Sequence, residues 1–209
     1  MQPPEPPSDC ISCDQQEKPE IWSLIHCINL ICPENCVGAE IGVSDAKSFN
    51  VILQSCSIEK LYGVDPYKPY DDFISWGDGD DENDYSKKNN IPNYSVNEYQ
   101  IDYIKLLSEF RIKWSGQSRK VCFLEKDSSE ALNEIQDNEL DFIFIDSYTC
   151  HESATKELIN WYPKVKTGGL MMGHDYHCKQ VKQAVEKMLK HYQIAPKISD
   201  FDESFCFIK

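Results

Sequence analysis

The 209-residue chain lacks the features that would direct it into a membrane, along a secretory route or onto nucleic acid. No apolar run approaches the roughly 18 residues of a membrane-spanning helix. The N-terminal Met-Gln-Pro-Pro-Glu-Pro-Pro has neither the basic nor the apolar region of a signal peptide. Basic residues number 21 against 35 acidic ones, a net charge of −14, which disfavours nucleic acid and anionic membranes as partners. We therefore expect a cytoplasmic protein, in the host cytoplasm if the chain is viral.

Glycine and paired metal-binding motifs are also scarce. The chain has 9 glycines and no Gly-x-Gly-x-x-Gly loop of the kind that binds dinucleotides. The acidic run at 78–84 lacks the glycine and the terminal glutamate of an EF-hand, so we expect a solvated loop tip there. Cys10 and Cys13 form a lone C-x-x-C pair, which makes a zinc or thioredoxin-like site the weaker interpretation. Without a secretory signal, the ten cysteines are expected to be reduced thiols.

Short apolar runs alternate with amphipathic segments along most of the chain. Residues 1–20, rich in proline and acids, are predicted to be a flexible leader, and residues 21–209 a single domain. Helical spacing predicts helices at 21–30, 49–56, 103–110, 152–162 and 181–189, the second with an N-cap at Ser44-Asp45. Apolar runs predict seven strands, at 36–43, 61–64, 121–124, 141–146, 170–173, 194–198 and 205–209.

This alternation predicts an α/β fold, with a mostly parallel seven-stranded sheet and helices on both faces. The last two strands are joined by a short turn and must form an antiparallel hairpin. Residues 66–96 interrupt the pattern, and a loop of this length is usually functional or mobile. Its aromatic residues favour a lid over a bound substrate, with a plain surface loop as the alternative; they are Tyr67, Tyr70, Phe73 and Trp76.

Ionisable side chains follow two neighbouring strands of the predicted sheet. Asp146 ends the fourth apolar run, and His174 and Asp175 follow the fifth. The segment between these runs is a crossover helix, so the two strands are parallel and their carboxyl ends share one edge. Ligands bind at that edge in open α/β sheets. The three side chains therefore predict a divalent-metal site or an acid/base cluster.

Five ordered motifs follow the first five strands. They are Glu40-Ile-Gly-Val-Ser-Asp-Ala-Lys-Ser48, Val64-Asp65-Pro-Tyr67, Lys126-Asp127-Ser128, Phe144-Ile-Asp146 and Gly168-Gly-Leu-Met-Met-Gly-His-Asp-Tyr176. In order and spacing they resemble the class I S-adenosylmethionine-dependent methyltransferases with their Rossmann-like fold. The branch that they resemble includes small-molecule and sugar O-methyltransferases, such as those acting on macrolide deoxysugars. The resemblance covers the chain from about Val37 onward.

The resemblance implies an adenosylmethionine site along the strand ends. Gly42 would let the backbone approach the ligand, Glu40 would receive the ammonium, and Asp65 would accept the ribose hydroxyls. The expected cofactor-binding residues are Glu40, Gly42, Ser44, Ser48, Asp65, Asp127, Ser128 and Asp146. Taken alone, Gly42 also suits a plain strand-to-helix turn, and Asp65 an ordinary turn before proline.

The resemblance also implies an acceptor site. In metal-dependent sugar O-methyltransferases an Asp after strand four and an acidic pair after strand five hold a divalent cation, and the matching positions here are Asp146, His174 and Asp175. His174 replaces one acid, which suits Mg²⁺ less well and would admit Mn²⁺ or a related ion. His151 is the candidate general base, with Asp146 and His174 as the other catalytic candidates. Two alternatives are a metal-free site with His174 as base, and a His151 that caps a helix or faces solvent. The expected substrate-binding residues are Tyr67, Tyr148, Tyr176 and His177.

The function that the resemblance implies is O-methylation of a sugar or glycan hydroxyl, with a deoxyhexose as the favoured acceptor. Two other classes stay open, an NAD-dependent oxidoreductase and a non-catalytic adenosylmethionine-binding module. The glycine-poor first loop and the antiparallel ending weigh against the oxidoreductase. Self-association of the chain is open as well.

Overall fold

The computed structural model describes residues 19–71, 95–96, 98–147, 151–201 and 203–209. The helices are α1 (Pro19–Ile31), α2 (Lys47–Ser55), α3 (Glu98–Trp114), α4 (Ser128–Ala131), α5 (His151–Trp161) and α6 (Lys179–Tyr192). The strands are β1 (Cys36–Ile41), β2 (Ile58–Val64), β3 (Tyr70–Asp71), β4 (Ser95–Val96), β5 (Val121–Leu124), β6 (Leu140–Ile145), β7 (Val165–Gly173), β8 (Ser199–Phe201) and β9 (Ser204–Ile208).

Seven strands form one sheet in the order β5-β2-β1-β6-β7-β9-β8. The first five are parallel, while β9 runs antiparallel to both β7 and β8. The predicted fold class is confirmed, including the antiparallel ending. β3 and β4 form a separate two-stranded antiparallel pair.

Two apolar layers cover the sheet, one on each face. Because strand side chains alternate, Phe142 and Phe144 of β6 point into one layer and Ile143 and Ile145 into the other. The first layer is supplied by α1 and α2, and the second by α5 and α6. Trp161 at the end of α5 is among the largest fully buried side chains. Strands buried on both faces explain why the apolar runs in the sequence are nearly continuous.

Two local expectations differ from the structure. The strand predicted at 194–198 is wrong, since β8 begins at Ser199; Ile194 and Ile198 instead pack against the core. The N-cap predicted at Ser44-Asp45 is wrong as well, because α2 begins only after Ala46. The helix predicted around 103–110 is confirmed as α3, whose buried residues are Ile101 and Ser108.

Several predictions fall outside the described residues. These include most of the leader, with Cys10 and Cys13, and the centre of the predicted lid, with Phe73, Trp76 and the run 78–84. Only the two ends of that lid are described, where they pair as β3 and β4. The seven cysteines in the described ranges are free thiols. No described helix is long and apolar enough to cross a membrane.

Candidate functional site

The carboxyl ends of β1 and β6 form a crevice at the middle of the sheet. These strands are neighbours, yet α2 leaves β1 toward one face and α5 leaves β6 toward the other. Such a divergence is the usual ligand site of open α/β sheets. Backbone hydrogen bonds extend past the strands, with Asp146 N donating to Ile41 O (2.8 Å) and His174 N to Ile145 O (3.1 Å). The residues after three strand ends are thereby held side by side.

Gly42 occupies the tightest point of this crevice. Its φ is +88°, and a Cβ built on it would lie 2.4 Å from the carbonyl oxygen of Asp146 and 2.9 Å from the Cα of Ser147. Only glycine tolerates both conditions. Ser44 and Ala46 also have positive φ, 49° and 60°, so the turn continues beyond the predicted N-cap. Helix α2 then begins with no capping side chain, which leaves its first N–H groups available to an anionic group.

Asp65 ties the loop after β1 to the loop after β2. Its Oδ2 accepts a hydrogen bond from Ser44 N (2.8 Å) and its Oδ1 accepts one from Tyr67 N (2.9 Å). The Tyr67 hydroxyl completes the connection by donating to Ser44 O (2.9 Å). Its ring stacks on Phe123 at 5.6 Å. Each carboxylate oxygen of Asp65 keeps a second acceptor position, so binding to ribose hydroxyls is compatible with this role.

Glu40 is fully buried beneath the same turn. Ser48 donates to its Oε1 at 2.5 Å, whereas Oε2 has no hydrogen-bond partner among the described residues. Burial raises the pKa of Glu40 well above its ordinary value, and the negative charges of Asp146, Asp65 and Asp45 raise it further. An ionised Glu40 therefore requires a cation that these residues do not supply.

The residues predicted to meet the adenine edge lie at the carboxyl end of β5. Asp127 pairs with Lys68, with 2.6 Å between Oδ2 and Nζ. The Ser128 hydroxyl donates to Glu157 Oε1, and the Ser147 hydroxyl donates to Glu157 Oε2 at 2.7 Å. Burial raises the pKa of Glu157. This carboxyl therefore joins the loops after β5 and β6.

Glu157 was not among the residues predicted from the sequence. A signal was present, because position 157 shares the inner face of α5 with Ala154 and Trp161, both buried. An acid at such a position is expected to hold hydrogen-bond partners. Its partners come from two other loops, so the sequence gives no indication of which residues they are.

Asp146, His174 and Asp175 come together as predicted. His174 Nδ1 lies 3.3 Å from Asp146 Oδ1 and 3.3 Å from Asp175 Oδ1. Asp175 sits in the left-handed region with φ 57°, which turns its side chain back toward the other two. Burial raises the pKa of Asp175, against the opposing effect of His174. The three groups could hold one metal ion, or the two carboxylates could hold a protonated imidazole.

The next residues form a second, more exposed group. Asp175, His177 and Cys178 could also hold a metal ion, and Cys178 Sγ lies 3.3 Å from His177 Nε2. The ring of Tyr176 packs against Phe205 at 5.2 Å. Contacts of Tyr176 and His177 with a substrate stay a prediction.

The side chains of two predicted site residues, His151 and Tyr148, lie outside the described part of the chain. The backbone of His151 begins α5, six residues after β6 ends at Ile145. Its role as a general base stays a prediction.

Comparisons with known proteins agree with this arrangement. A family model described as a methyltransferase domain matches residues 39–176, more than half of the chain. The structure of the O-methyltransferase NovP superposes with a TM-score of 0.62 at 20% identity, over 90% of this chain and 78% of that one. No curated protein sequence matches at a significant level.

Two further structures share the fold. An RNA methyltransferase from Salinibacter ruber, in complex with S-adenosyl-L-homocysteine, gives a TM-score of 0.52 at 12% identity, over 91% of this chain and 89% of that one. A precorrin 8w decarboxylase from Methanobacterium thermoautotrophicum gives 0.54 at 14%, over 98% and 91%. At such identities the structural likeness speaks for the fold and leaves the reaction open.

Proposed function

The chain belongs to the methyltransferase-domain family and has the class I S-adenosylmethionine-dependent fold, and from this premise we propose that it methylates a hydroxyl oxygen of a sugar or glycan. A deoxyhexose is the favoured acceptor. The observation that carries the cofactor part of the proposal is the buried Glu40 carboxyl, whose Oε2 has no partner among the described residues, beside Gly42, which packs directly against the backbone of Asp146 and Ser147.

The Glu40 site suits adenosylmethionine because that ligand is a cation. An ammonium at Oε2 would supply the missing hydrogen bond and balance the buried charge. Asp45, Asp65 and Asp146 give the crevice a negative potential, seen in their effect on the pKa of Glu40. This potential attracts a sulfonium and repels a pyrophosphate. The oxidoreductase alternative is weakened for the same reason.

Adenosylmethionine, when bound, supplies an electrophilic methyl group on its sulfonium. The protein's part is to hold and orient this ligand. Asp65 has acceptor positions left for the ribose hydroxyls of the ligand. The uncapped start of α2 would receive the ligand's carboxylate. Glu157 fixes the hydroxyls of Ser128 and Ser147 at the other end of the crevice.

The acceptor would lie over Asp146, His174 and Asp175. Two carboxylates and an imidazole form a donor set that fits Mn²⁺ or Mg²⁺. A bound cation would lower the pKa of an acceptor hydroxyl. The same three side chains can donate and accept hydrogen bonds with neighbouring hydroxyls, as on a sugar ring. With a cation bound, His151 would take the proton that the acceptor hydroxyl loses, and in a metal-free site His174 would take it.

Calorimetric titration with S-adenosylhomocysteine tests the cofactor assignment. We expect micromolar binding to the wild type, strong weakening in Asp65→Ala, and wild-type binding in Asp137→Ala, an exposed acid paired with Lys164. NADH serves as the competing ligand. Binding of NADH without binding of S-adenosylhomocysteine would overturn the proposal.

Incubation with isotope-labelled adenosylmethionine tests the acceptor class. The acceptors are deoxyhexose glycosides, other sugars, catechols and RNA, each with Mg²⁺, Mn²⁺ or EDTA. Label transfer to a sugar oxygen, mapped by mass spectrometry, is the expected result. Transfer to RNA or to a catechol would replace the sugar assignment. Tight ligand binding without transfer to any acceptor would favour the non-catalytic module.

A further inference from the structure

Helix α3 carries large apolar side chains on the face that points away from the sheet. The inner face is lined by Ile101 and Ser108, the buried residues of this helix. The opposite face carries five side chains that follow one another at intervals of three or four residues, which places them on one stripe. We call them the outer stripe: Tyr99, Tyr103, Leu106, Phe110 and Trp114.

The outer stripe is the main concentration of exposed apolar surface on the described residues. Its members are 82, 50, 61, 45 and 72% exposed, in chain order, and only three other large hydrophobic side chains are exposed elsewhere in the described ranges. Phe110 and Trp114 contact each other at 5.5 Å between ring centroids. Scattered exposed hydrophobics are ordinary, but a contiguous aromatic stripe marks an interaction surface.

Acidic residues lie toward the start of α3 and basic residues toward its end. Glu98 and Asp102 lie in the first half of α3, and Arg111 and Lys113 in its last turn. With Lys105 and Glu109, the helix holds three basic and three acidic residues, in a chain of net charge −14. A partner of a single charge sign would match only half of this surface. Arg111 pairs with Asp45 and Lys105 with Glu125 within the same copy, which leaves Glu98 and Asp102 at one end of the stripe and Lys113 at the other for a partner. A copy of the same helix in the reverse direction would bring these opposite charges together.

We propose that the outer stripe is the interface between two copies of this chain, packed antiparallel about a two-fold axis near Leu106. In this arrangement Asp102 of one copy lies beside Lys113 of the other, and the aromatic ends of the stripe overlap. Isologous pairing of this kind is the commonest form of protein self-association. The inference stands on α3 alone and does not depend on the proposed reaction.

The available area is sufficient for such a dimer. A large aromatic side chain buries roughly 200 Å², so the stripe at its observed exposure offers on the order of 600 Å² per copy. Two copies would bury about 1,200 Å², the lower end of specific interfaces. A concentration-dependent dimer is therefore expected.

Sedimentation velocity and light scattering across a dilution series of the full chain test the interface. The wild type is expected to dimerise, and Leu106→Lys to raise the dimer dissociation constant at least about tenfold. Leu30→Lys is the matched control, because Leu30 is 70% exposed on α1. At concentrations where the wild type is monomeric, both variants should keep its melting temperature, since both positions are exposed. A wild type that is monomeric throughout, or a dimer that Leu106→Lys leaves intact, would overturn the proposal.

Charge reversal tests the antiparallel register and separates a second copy from any other occupant. Asp102→Lys and Lys113→Asp should each weaken the dimer, because each sets like charges against each other. The double variant restores opposite charges and should recover the wild-type dissociation constant. The two positions are eleven residues apart on one straight helix, so recovery cannot arise within one copy. Absence of recovery would reject this register, and with it the proposed pairing.

Discussion

Gly42 and Asp146 approach each other so closely that a Cβ at position 42 would lie 2.4 Å from the Asp146 carbonyl oxygen. Gly42→Ala should therefore cost about 1–2 kcal/mol for its positive φ and about 1–3 kcal/mol more for the collision. Gly116→Ala is the matched control, with φ +70° and no atom within 4 Å of the added Cβ. Urea denaturation should show a clearly larger loss for Gly42→Ala. Equal losses would mean that the loop relaxes around the added Cβ and that the contact with Asp146 does not destabilise the protein.

Glu40→Gln separates ligand binding from stability. The substitution replaces a buried carboxyl, whose Oε2 has no partner among the described residues, with an amide that cannot ionise, so the free energy of unfolding should not fall. Binding of S-adenosylhomocysteine should weaken about 10- to 100-fold, because a charge-assisted hydrogen bond contributes about 1.5–3 kcal/mol. Asp137→Asn is the control for removal of an acid. Unchanged affinity in Glu40→Gln would remove Glu40 from the site.

The pH dependence of stability should also report on Glu40. Its folded-state pKa is raised well above the ordinary value of 4.5, so the folded state holds a proton that the unfolded state has lost. Stability from this group is therefore full below about pH 4.5 and declines as pH rises toward the folded pKa. Denaturation from pH 4 to 8 should show a steeper decline in the wild type than in Glu40→Gln, because Glu157 and Asp175, whose pKa values burial also raises, titrate in both proteins. Parallel curves would contradict the shift.

Ligand binding should release a proton at pH values below the raised pKa of Glu40. A cation at Oε2 favours the ionised carboxyl, so binding tightens as pH rises through this range. Calorimetry in buffers of different ionisation enthalpy measures the proton count. Glu40→Gln should release fewer protons than the wild type.

Metal binding can be assigned to one of the two candidate groups by paired substitutions. At about 100 times its dissociation constant, Mn²⁺ should stabilise the wild type by about 2.7 kcal/mol, a rise in melting temperature of several degrees. Asp146→Asn should abolish this rise if the ion lies between Asp146, His174 and Asp175. Cys178→Ala should abolish it if the ion lies in the neighbouring group with His177. A rise that survives both substitutions would exclude both groups.

Tyr67→Phe tests whether Tyr67 contacts substrate or only supports the loop. The change removes the hydrogen bond to Ser44 O and keeps the ring that stacks on Phe123. A supporting role predicts a loss of about 0.5–1.5 kcal/mol in stability and a few-fold weaker binding of S-adenosylhomocysteine. The KM for the acceptor should then stay unchanged. A rise in that KM alone would support the prediction that Tyr67 binds the substrate.

The sheet was predictable because its strands are buried on both faces. Residues 141–146 form an apolar run too short for a helix, and the parallel direction of the next strand followed from the crossover helix between them. The rim of Asp146, His174 and Asp175 followed in turn, since parallel strands end at one edge. The error at 194–198 has the opposite cause. Those apolar residues pack on the core without joining the hydrogen-bond ladder, and side-chain spacing does not distinguish these two situations.

Helix α3 marks another limit of sequence patterns. The apolar spacing that predicted this helix includes Tyr103 and Phe110, which are 50 and 45% exposed. The helix is apolar on two faces, and periodicity alone does not say which one meets the sheet. Glu157 was missed because its partners, Ser128 and Ser147, come from two other loops. Contacts that join distant loops leave no periodic trace.

The neighbouring positions of β1 and β6 in the sheet have a consequence for how the chain folds. Val37 N donates to Asp141 Oδ2 at 2.8 Å across 104 positions of sequence. The ligand site forms only after β1 and β6 have paired over this long separation. Long-range parallel pairing is slow, because the chain loses the entropy of loop closure before the stabilising contacts form. A refolding chain will therefore regain helical content well before it regains ligand affinity. The ligand becomes a kinetic probe of the sheet's central pairing.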